Sequence, residues 1–456
     1  MAAPVASDRT LQKRYGLDLR SLALLRMGLA LVLLTNLVAQ LTTRPAATDL
    51  LSAGYWSLHL LSDQAGFQIL LFLIAIVSAL AMLVGYRSRL ATIVSWVLIV
   101  SLHNRSPLLL TAGDDVLRAF LFWAMFLPLG AKYSIDSAFN PEAPKLPKQI
   151  FGVATLALIL QQCYVYLGSA AFKTFSATGW LDGGIDQAVT PLGSWLLNLG
   201  VLLPLLSFFT LVLHWVGPLF LLVPIRTDLC RTIAIGVFTV WLLVMGLTLN
   251  LGIFPLLGMV TWLAFIPTSV WEGWCKRLYG PEQHGLVLHY DVDCGFCKKV
   301  VHLIRTLVLL PETPLRTTQS DPEILAAMEL HNSWVVVDWQ GQHHYRFEAI
   351  AYVCSLSPVF WIFEPLLRWS PVMWAGNRFY EAIANNRRHA GLFTRPFKFK
   401  SFSVSTFSVG NVVAAIFLGL LTLGNLLTFI EISNWLKLPV QATWLDQSWQ
   451  RIPPNP

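Results

Sequence analysis

Charge is what this chain of 456 residues has least of: only 12% of them are Asp, Glu, Lys or Arg, about half the share found in an ordinary soluble domain. That scarcity excludes a purely soluble globule. Cysteine is scarce as well, with six in all, which excludes a disulfide scaffold. The lack of polar, repetitive tracts excludes intrinsic disorder and collagen. What fills the chain is apolar: 55% hydrophobic residues, including 18 Trp and 27 Phe. This composition predicts a polytopic α-helical membrane bundle with the lipid bilayer as its main partner and aromatic residues at the interfaces. The net charge of +7 fits the same class, because Lys and Arg collect at cytoplasmic loop ends and anionic headgroups, and it does not indicate nucleic acid.

The apolar run Leu19 to Leu41 follows Arg9, Lys13 and Arg14 and reads as a retained signal-anchor, being too long for a cleaved signal h-region. Further spans are expected at 66–84, 90–103, 112–130, 150–171, 201–224, 232–250 and 253–270, about eight helices before residue 275, with one C-terminal crossing at Val412 to Ile430. Basic residues alternate between the loops. Arg87, Arg89, Lys132, Lys145, Lys148, Arg226, Arg231, Lys276 and Arg277 fall on the side of the N-terminus, whereas Asp49, Asp63, Asp114, Asp115, Asp182 and Asp186 mark the other. The positive-inside rule then places the N-terminus and the chain after Arg277 in the cytoplasm and the C-terminus outside. A bacterial inner membrane is the expected setting.

Near residue 280 the composition becomes that of a globular domain. Leu286 to Tyr290 reads as a buried strand, followed by a Gly-containing turn and helical period over Lys298 to Leu310. A second strand is expected at Trp334 to Asp338, with helices over 347–368 and 376–388. The expected organisation is a membrane domain at 1–278, an inserted α/β domain at 285–400 and a last membrane helix at 408–432. Cys294 and Cys297 fall three residues apart where the strand gives way to the helix. There the first sulfur meets unpaired amides and the positive end of the helix dipole, which favour the nucleophilic thiolate. Cys294 is therefore the candidate attacking thiol and Cys297 the resolving one, with Asp291 and Asp293 as proton carriers or helix caps. Two other readings stand beside this: a zinc site completed by His289 or His302, and two buried thiols without chemistry. No complete metal-ligand set is visible in the sequence.

Ionisable residues beside apolar spans are costly and so are functional candidates. Lys173 closes a span that begins with Gln161, Gln162, Cys163 and Tyr164; His103, Asn104 and Arg105 with Asp114, Asp115 and Arg118 lie at the same expected depth. Convergence of the two groups would make a site for the polar head of a lipid-soluble molecule. The plainer reading is a snorkelling lysine and ion pairs that hold helices together.

Residues Tyr290, Asp291, Asp293, Cys294 and Cys297 resemble the signature of the DCC family of thiol-disulfide oxidoreductases, a strand ending in Tyr-Asp before Asp-Cys-x-x-Cys, with Val292 where that family usually has Gly. Tyr380 to Arg387 is similar to the family's C-terminal Tyr-x-x-x-Ala-x-Asn-Arg helix. The resemblance implies a thioredoxin-like fold and dithiol/disulfide exchange with an unidentified thiol or disulfide partner. From Arg14 to Asp136 the chain resembles an HTTM domain, the membrane domain shared with vitamin K-dependent gamma-carboxylase. That likeness is carried by Tyr15-Gly-Leu-Asp-Leu-Arg20 with Arg26, His103-Asn-Arg105, Gly113-Asp-Asp115, Leu127-Pro-Leu-Gly130 and Tyr133-Ser-Ile-Asp136. Tyr166 to Gly183 is similar to the carboxylase segment that bears its catalytic base, with Lys173 at that lysine's place. The resemblance implies a membrane quinone or hydroquinone as cofactor and Lys173 as a base, but not protein carboxylation, because a dithiol domain follows the bundle here. The leading expectation is an integral membrane redox enzyme. The alternatives are a transporter or metal-delivery protein with a Cys-x-x-Cys metal module, and a non-catalytic scaffold.

Overall fold

The computed structural model describes residues 6–43, 56–105, 110–175, 189–197, 202–402 and 409–430; Trp180, Asp182, Gly183 and Asp186 of the sequence reading lie outside them. The chain forms two compact units. One holds Met1–Leu129, Pro147–Ser269 and Val404–Pro456, the other Gly130–Leu146 and Val270–Ser403. The second unit thus takes in a stretch, Gly130–Leu146, that the sequence reading placed in the membrane domain.

In chain order the first part carries helices α1 (Ala6–Tyr15), α2 (Leu19–Thr43), α3 (Ala65–Val84), α4 (Ser88–Arg105), α5 (Ala112–Ala124), α6 (Ile135–Ala138), α7 (Val153–Phe175), α8 (Pro191–Leu197), α9 (Leu202–Val216), α10 (Thr227–Thr248), α11 (Phe254–Leu263), α12 (Thr268–Leu278) and α13 (Pro281–His284), with strands β1 (Leu17–Asp18) and β2 (Gln149–Ile150). Then follow β3 (Val287–Tyr290), α14 (Gly295–Leu307), β4 (Leu315–Thr317), α15 (Pro322–His331), β5 (Val335–Val337), β6 (His343–Tyr345), α16 (Arg346–Ser355), α17 (Glu364–Leu367), α18 (Ser370–Asn385), α19 (Arg387–Phe393) and α20 (Val409–Ile430).

Among the described residues four helices are long and apolar enough to cross a membrane: Leu19–Gln40, Ala65–Val84, Val153–Thr174 and Thr227–Thr248. α3 shows why this unit suits lipid. It buries Leu71, Ala75, Ala79 and Met82 but exposes Leu70, Leu73, Val77 and Leu80, and an apolar outer face is stable in hydrocarbon rather than in water. Small residues let the helices close up inside: a Cβ on Gly28 of α2 would stand 2.5 Å from Val260 Cγ1 of α11.

The other expected spans differ from the observed helices in physically readable ways. The span at 90–103 is the longer α4, which turns Ser88, Thr92, Ser95, Ser101, His103 and Asn104 inward. That at 112–130 is helical only to Ala124, ahead of Pro128. The span at 201–224 leaves α-helical geometry at Val216 and becomes 3-10 over Gly217–Leu221, where Pro218 lacks an amide hydrogen. The run at 253–270 breaks after Leu263 and resumes at Thr268, with Pro267 in the break.

The second unit is built on a four-stranded sheet in the order β4-β3-β5-β6. β3 runs parallel to β4 and antiparallel to β5, and β5 and β6 form an antiparallel hairpin. Parallel pairing requires a crossover, and α14 supplies it. Leu288, Tyr290 and Val336 of the sheet meet Val301 and Val308 of the α14 segment and Ala349 and Val353 of α16 in one core. Leu288 and Val336 are wholly buried, each worth about 1.5–3 kcal/mol relative to an exposed side chain. The expected helix at 347–368 is interrupted instead: α16 ends at Ser355, ahead of Pro358, and a 3-10 turn at Phe360–Phe363 precedes α17.

Candidate active site

The Cys pair opens α14 just after β3, with Cys294 ahead of the helix and Cys297 in its first turn. Cys294 is the N-cap of α14, and its sulfur accepts a hydrogen bond from the Cys297 amide at 3.2 Å. The two sulfurs are bonded as a disulfide, with Cα atoms 5.2 Å apart. Both residues are half-buried, whereas Val292, Asp293 and Gly295 around them are exposed, so a partner can reach the sulfurs. α14 has no acidic residue in its first turn; the nearest carboxylates, Asp291 and Asp293, stand in the loop just before the cap.

The loop ahead of the pair is held by a residue that the sequence reading missed. Gln319, in the 3-10 turn after β4, donates to Asp291 Oδ1 at 2.9 Å and accepts from the Val292 amide at 3.3 Å. Asp291 Oδ1 also accepts from the Asp293 amide at 3.0 Å. Asp291 is therefore a loop organiser. The signal for Gln319 lies only in the fold, because the parallel pairing of β4 with β3 brings the ends of both strands to the same edge. Lys298 Nζ stands 5.1 Å from the Phe399 ring centroid, and Lys299 donates to the Thr394 carbonyl at 2.7 Å.

The two histidines of the zinc reading occupy separate environments. His289 is buried on β3 in register with Arg316 and Val335, and burial, aided by Arg316, lowers its pKa. His302 on α14 lies against the rings of Phe399 and Tyr290, at centroid distances of 5.2 and 6.4 Å. Burial first, then the Arg305 and Lys298 charges, push its pKa down to about 4. Among the described residues no three His, Cys, Asp or Glu side chains gather as a metal cluster.

In the helical unit, His103, Asp114 and Asp115 converge around the start of α5. Asp114 accepts from Asn36 at 2.9 Å and from the Thr111 amide and hydroxyl at 2.8 and 2.9 Å, and it faces His103 Nε2 at 3.4 Å. Asp115 is ion-paired with Arg118. Asn104 turns instead to the Trp56 carbonyl, at 2.7 Å, and Arg105 to Gln68, at 3.1 Å. Lys173, near the end of α7, lies within Coulombic range of the buried His214 on α9. His214, like Asn36, was not singled out from the sequence. Its ring is 5.2 Å from Tyr166 and 4.6 Å from Trp241.

The model of the family described as DCC1-like thiol-disulfide oxidoreductase matches residues 288–392. No curated protein and no solved structure matches the chain. The matched segment opens on β3, takes in the capped Cys pair and closes on α19. Residues 288–392 thus carry a DCC1-like thiol-disulfide oxidoreductase domain.

Proposed function

We propose that the chain is an integral membrane thiol-disulfide oxidoreductase whose reactive centre is Cys294 and Cys297. The observation that carries this reading is the sulfur of Cys294 at the N-cap of α14, accepting the Cys297 amide at 3.2 Å, in a domain matched by a family of that activity. The sheet order and the crossover through α14 support a thioredoxin-like arrangement. From the dithiol state, the Cys294 thiolate attacks one sulfur of a partner disulfide. A mixed disulfide forms and the partner's other sulfur leaves as thiolate. The Cys297 thiolate then attacks Cys294 Sγ, the mixed disulfide breaks, and the intramolecular disulfide remains. Two electrons pass to the partner, whose thiolates take up the two protons. The reverse sequence oxidises a dithiol partner.

The test is a redox titration of the full-length protein in glutathione buffers, read by alkylation and mass spectrometry with bound metal assayed in the same sample. A reversible two-electron transition without metal is the expected result. Thiols that retain metal stoichiometrically, or that never oxidise, overturn the reading in favour of metal delivery. The loop charges support a cytoplasmic location of this domain, and a topology reporter that places residue 290 outside overturns that placement.

For the helical unit the reading is a site for the polar head of a lipid-soluble molecule such as a quinone, supported by the buried His214, which lies against the Tyr166 and Trp241 rings and within Coulombic range of Lys173. Co-purifying quinone that is retained by the wild type and lost in Lys173→Ala supports it; equal quinone content in both overturns it.

A further inference from the structure

The second unit carries an apolar surface that neither its core nor the dithiol chemistry explains. Between α16 and α19 the side chains of Trp361, Ile362, Leu366, Trp369, Trp374 and Phe379 are each more than half exposed. Ordinary soluble surfaces scatter such residues singly rather than gathering them in one stretch of about twenty. The chemistry of the stretch is specific. Its large residues are mainly Trp and Phe, the types that settle at the boundary between headgroups and acyl chains. The Arg378 guanidinium lies over the Trp374 ring at 5.9 Å, which joins a cation to an aromatic face. The only acids between residues 359 and 400 are Glu364 and Glu381, and both are paired with arginine: Glu364 with Arg368 at 3.0 Å and Glu381 with Arg346 at 2.9 Å. Against them the same segment holds Arg368, Arg378, Arg387, Arg388, Arg395, Lys398 and Lys400. In sequence, only residues 403–408 separate the unit from α20, whose Gly410–Leu423 stretch is apolar.

We infer that the surface from Trp361 to Phe379 is a monotopic docking face that seats the dithiol unit on an anionic lipid leaflet. The aromatic side chains enter the headgroup boundary and the surrounding Arg and Lys residues meet lipid phosphates. Docking confines the Cys pair to a plane near the membrane and favours partners that are themselves membrane-bound. This inference does not depend on the redox reading, since it concerns where the unit sits rather than what its thiols do.

The experiment uses the full-length chain in nanodiscs of three parts phosphatidylcholine to one part phosphatidylglycerol. Spin labels are attached at Trp361→Cys and Trp374→Cys, with Leu330→Cys as the reference, in a background whose native cysteines are replaced by serine. Leu330 is 80% exposed on α15. Collision rates with oxygen and with a water-soluble nickel chelate are then compared. The expected result is an oxygen-to-nickel ratio several-fold higher at 361 and 374 than at 330. A ratio equal to that at 330 overturns the inference, because the face then meets water. Low collision with both reagents also overturns it, in favour of a second copy or another protein covering the face. In discs of phosphatidylcholine alone the ratio is expected to fall, and an unchanged ratio there overturns the anionic part of the proposal. Should the cysteine-free background fail to fold, the unmodified chain in discs doped with a diazirine-bearing phosphatidylglycerol serves instead. Lipid adducts on peptides from 359–379 but not from 322–331 support docking, and their absence from 359–379 overturns it.

Discussion

Two helix N-termini in this molecule present the same electrostatic problem and solve it in opposite ways. α5 begins with carboxylates: Asp114 and Asp115 stand in its first turn, and both are buried and satisfied by Asn36, Thr111, His103 and Arg118. α14 begins with sulfur. Cys294 takes the cap position, no acid enters the first turn, and the neighbouring residues are exposed. In both places the unpaired amides and the dipole stabilise negative charge. Where that charge is a buried carboxylate with a full set of donors, the product is a fixed joint between helices. Where it is a reachable thiolate, the product is a nucleophile. Chemical availability therefore separates the two sites more than polarity does.

The most drastic break of this comparison is Cys294→Ser. Serine keeps a cap acceptor, so the unit stays folded while turnover of a small aromatic disulfide by the full-length protein falls to the uncatalysed rate; residual turnover above that rate would move the nucleophile elsewhere. On the α5 side the expected effect is structural. Asp115→Ala removes the carboxylate paired with the buried Arg118, and losing one member of a buried pair costs about 3 kcal/mol, measurable as a lowered unfolding midpoint in a denaturing-detergent titration with the thiol potential unchanged.

Histidine gives the next test. His103 faces the Asp114 carboxylate, whereas His302 is hemmed in by burial and by Arg305 and Lys298, which hold its pKa near 4 instead of the ordinary 6.5. Because the folded state holds this proton less tightly than the unfolded state, stability is lost as pH falls from 6.5 towards 4 and then levels off. The expected loss between neutral pH and about pH 5.5 is about 1 kcal/mol, read as a fall in the second unit's melting temperature that His302→Gln removes. An identical slope in that variant would assign the acid sensitivity to other groups.

The sequence made the reactive helix of α14 legible because everything needed there is local. An apolar strand, a turn with glycine and two cysteines at helical spacing fall within about twenty residues, and each has its own physical signature. Four of the apolar helices were equally plain by composition, whereas other expected spans are cut short, since Pro218 and Pro267 act through backbone geometry inside otherwise continuous apolar runs. What stayed hidden was everything that depends on pairing distant segments. Gln319 reaches Asp291 only because β4 lies beside β3, and Asn36 meets Asp114 across 78 positions of chain. Neither contact leaves a local pattern. Gln319→Ala removes both of its links to the 291–292 loop, for a cost of about 1 kcal/mol, seen as faster amide exchange at Val292 while β3 keeps its protection.

The finest test turns one N-terminus into the other. Gly295 occupies the first turn of α14, and a Cβ built there meets no atom within 4 Å, so Gly295→Asp introduces the kind of carboxylate that α5 carries without steric conflict. An acid in that position stabilises the helix by about 0.5 kcal/mol through the dipole. The same charge opposes a thiolate at Cys294, and the reduced state, which holds that thiolate, loses stability relative to the disulfide. The two effects thus run in opposite directions, with a slightly higher unfolding midpoint for the oxidised protein and a potential lower by about 10 mV at two electrons. Alkylation of Cys294 at fixed pH should slow in parallel. If instead the midpoint rises with no change in potential or alkylation rate, the dipole at α14 stabilises the helix without activating the sulfur, and the contrast with α5 loses its chemical half.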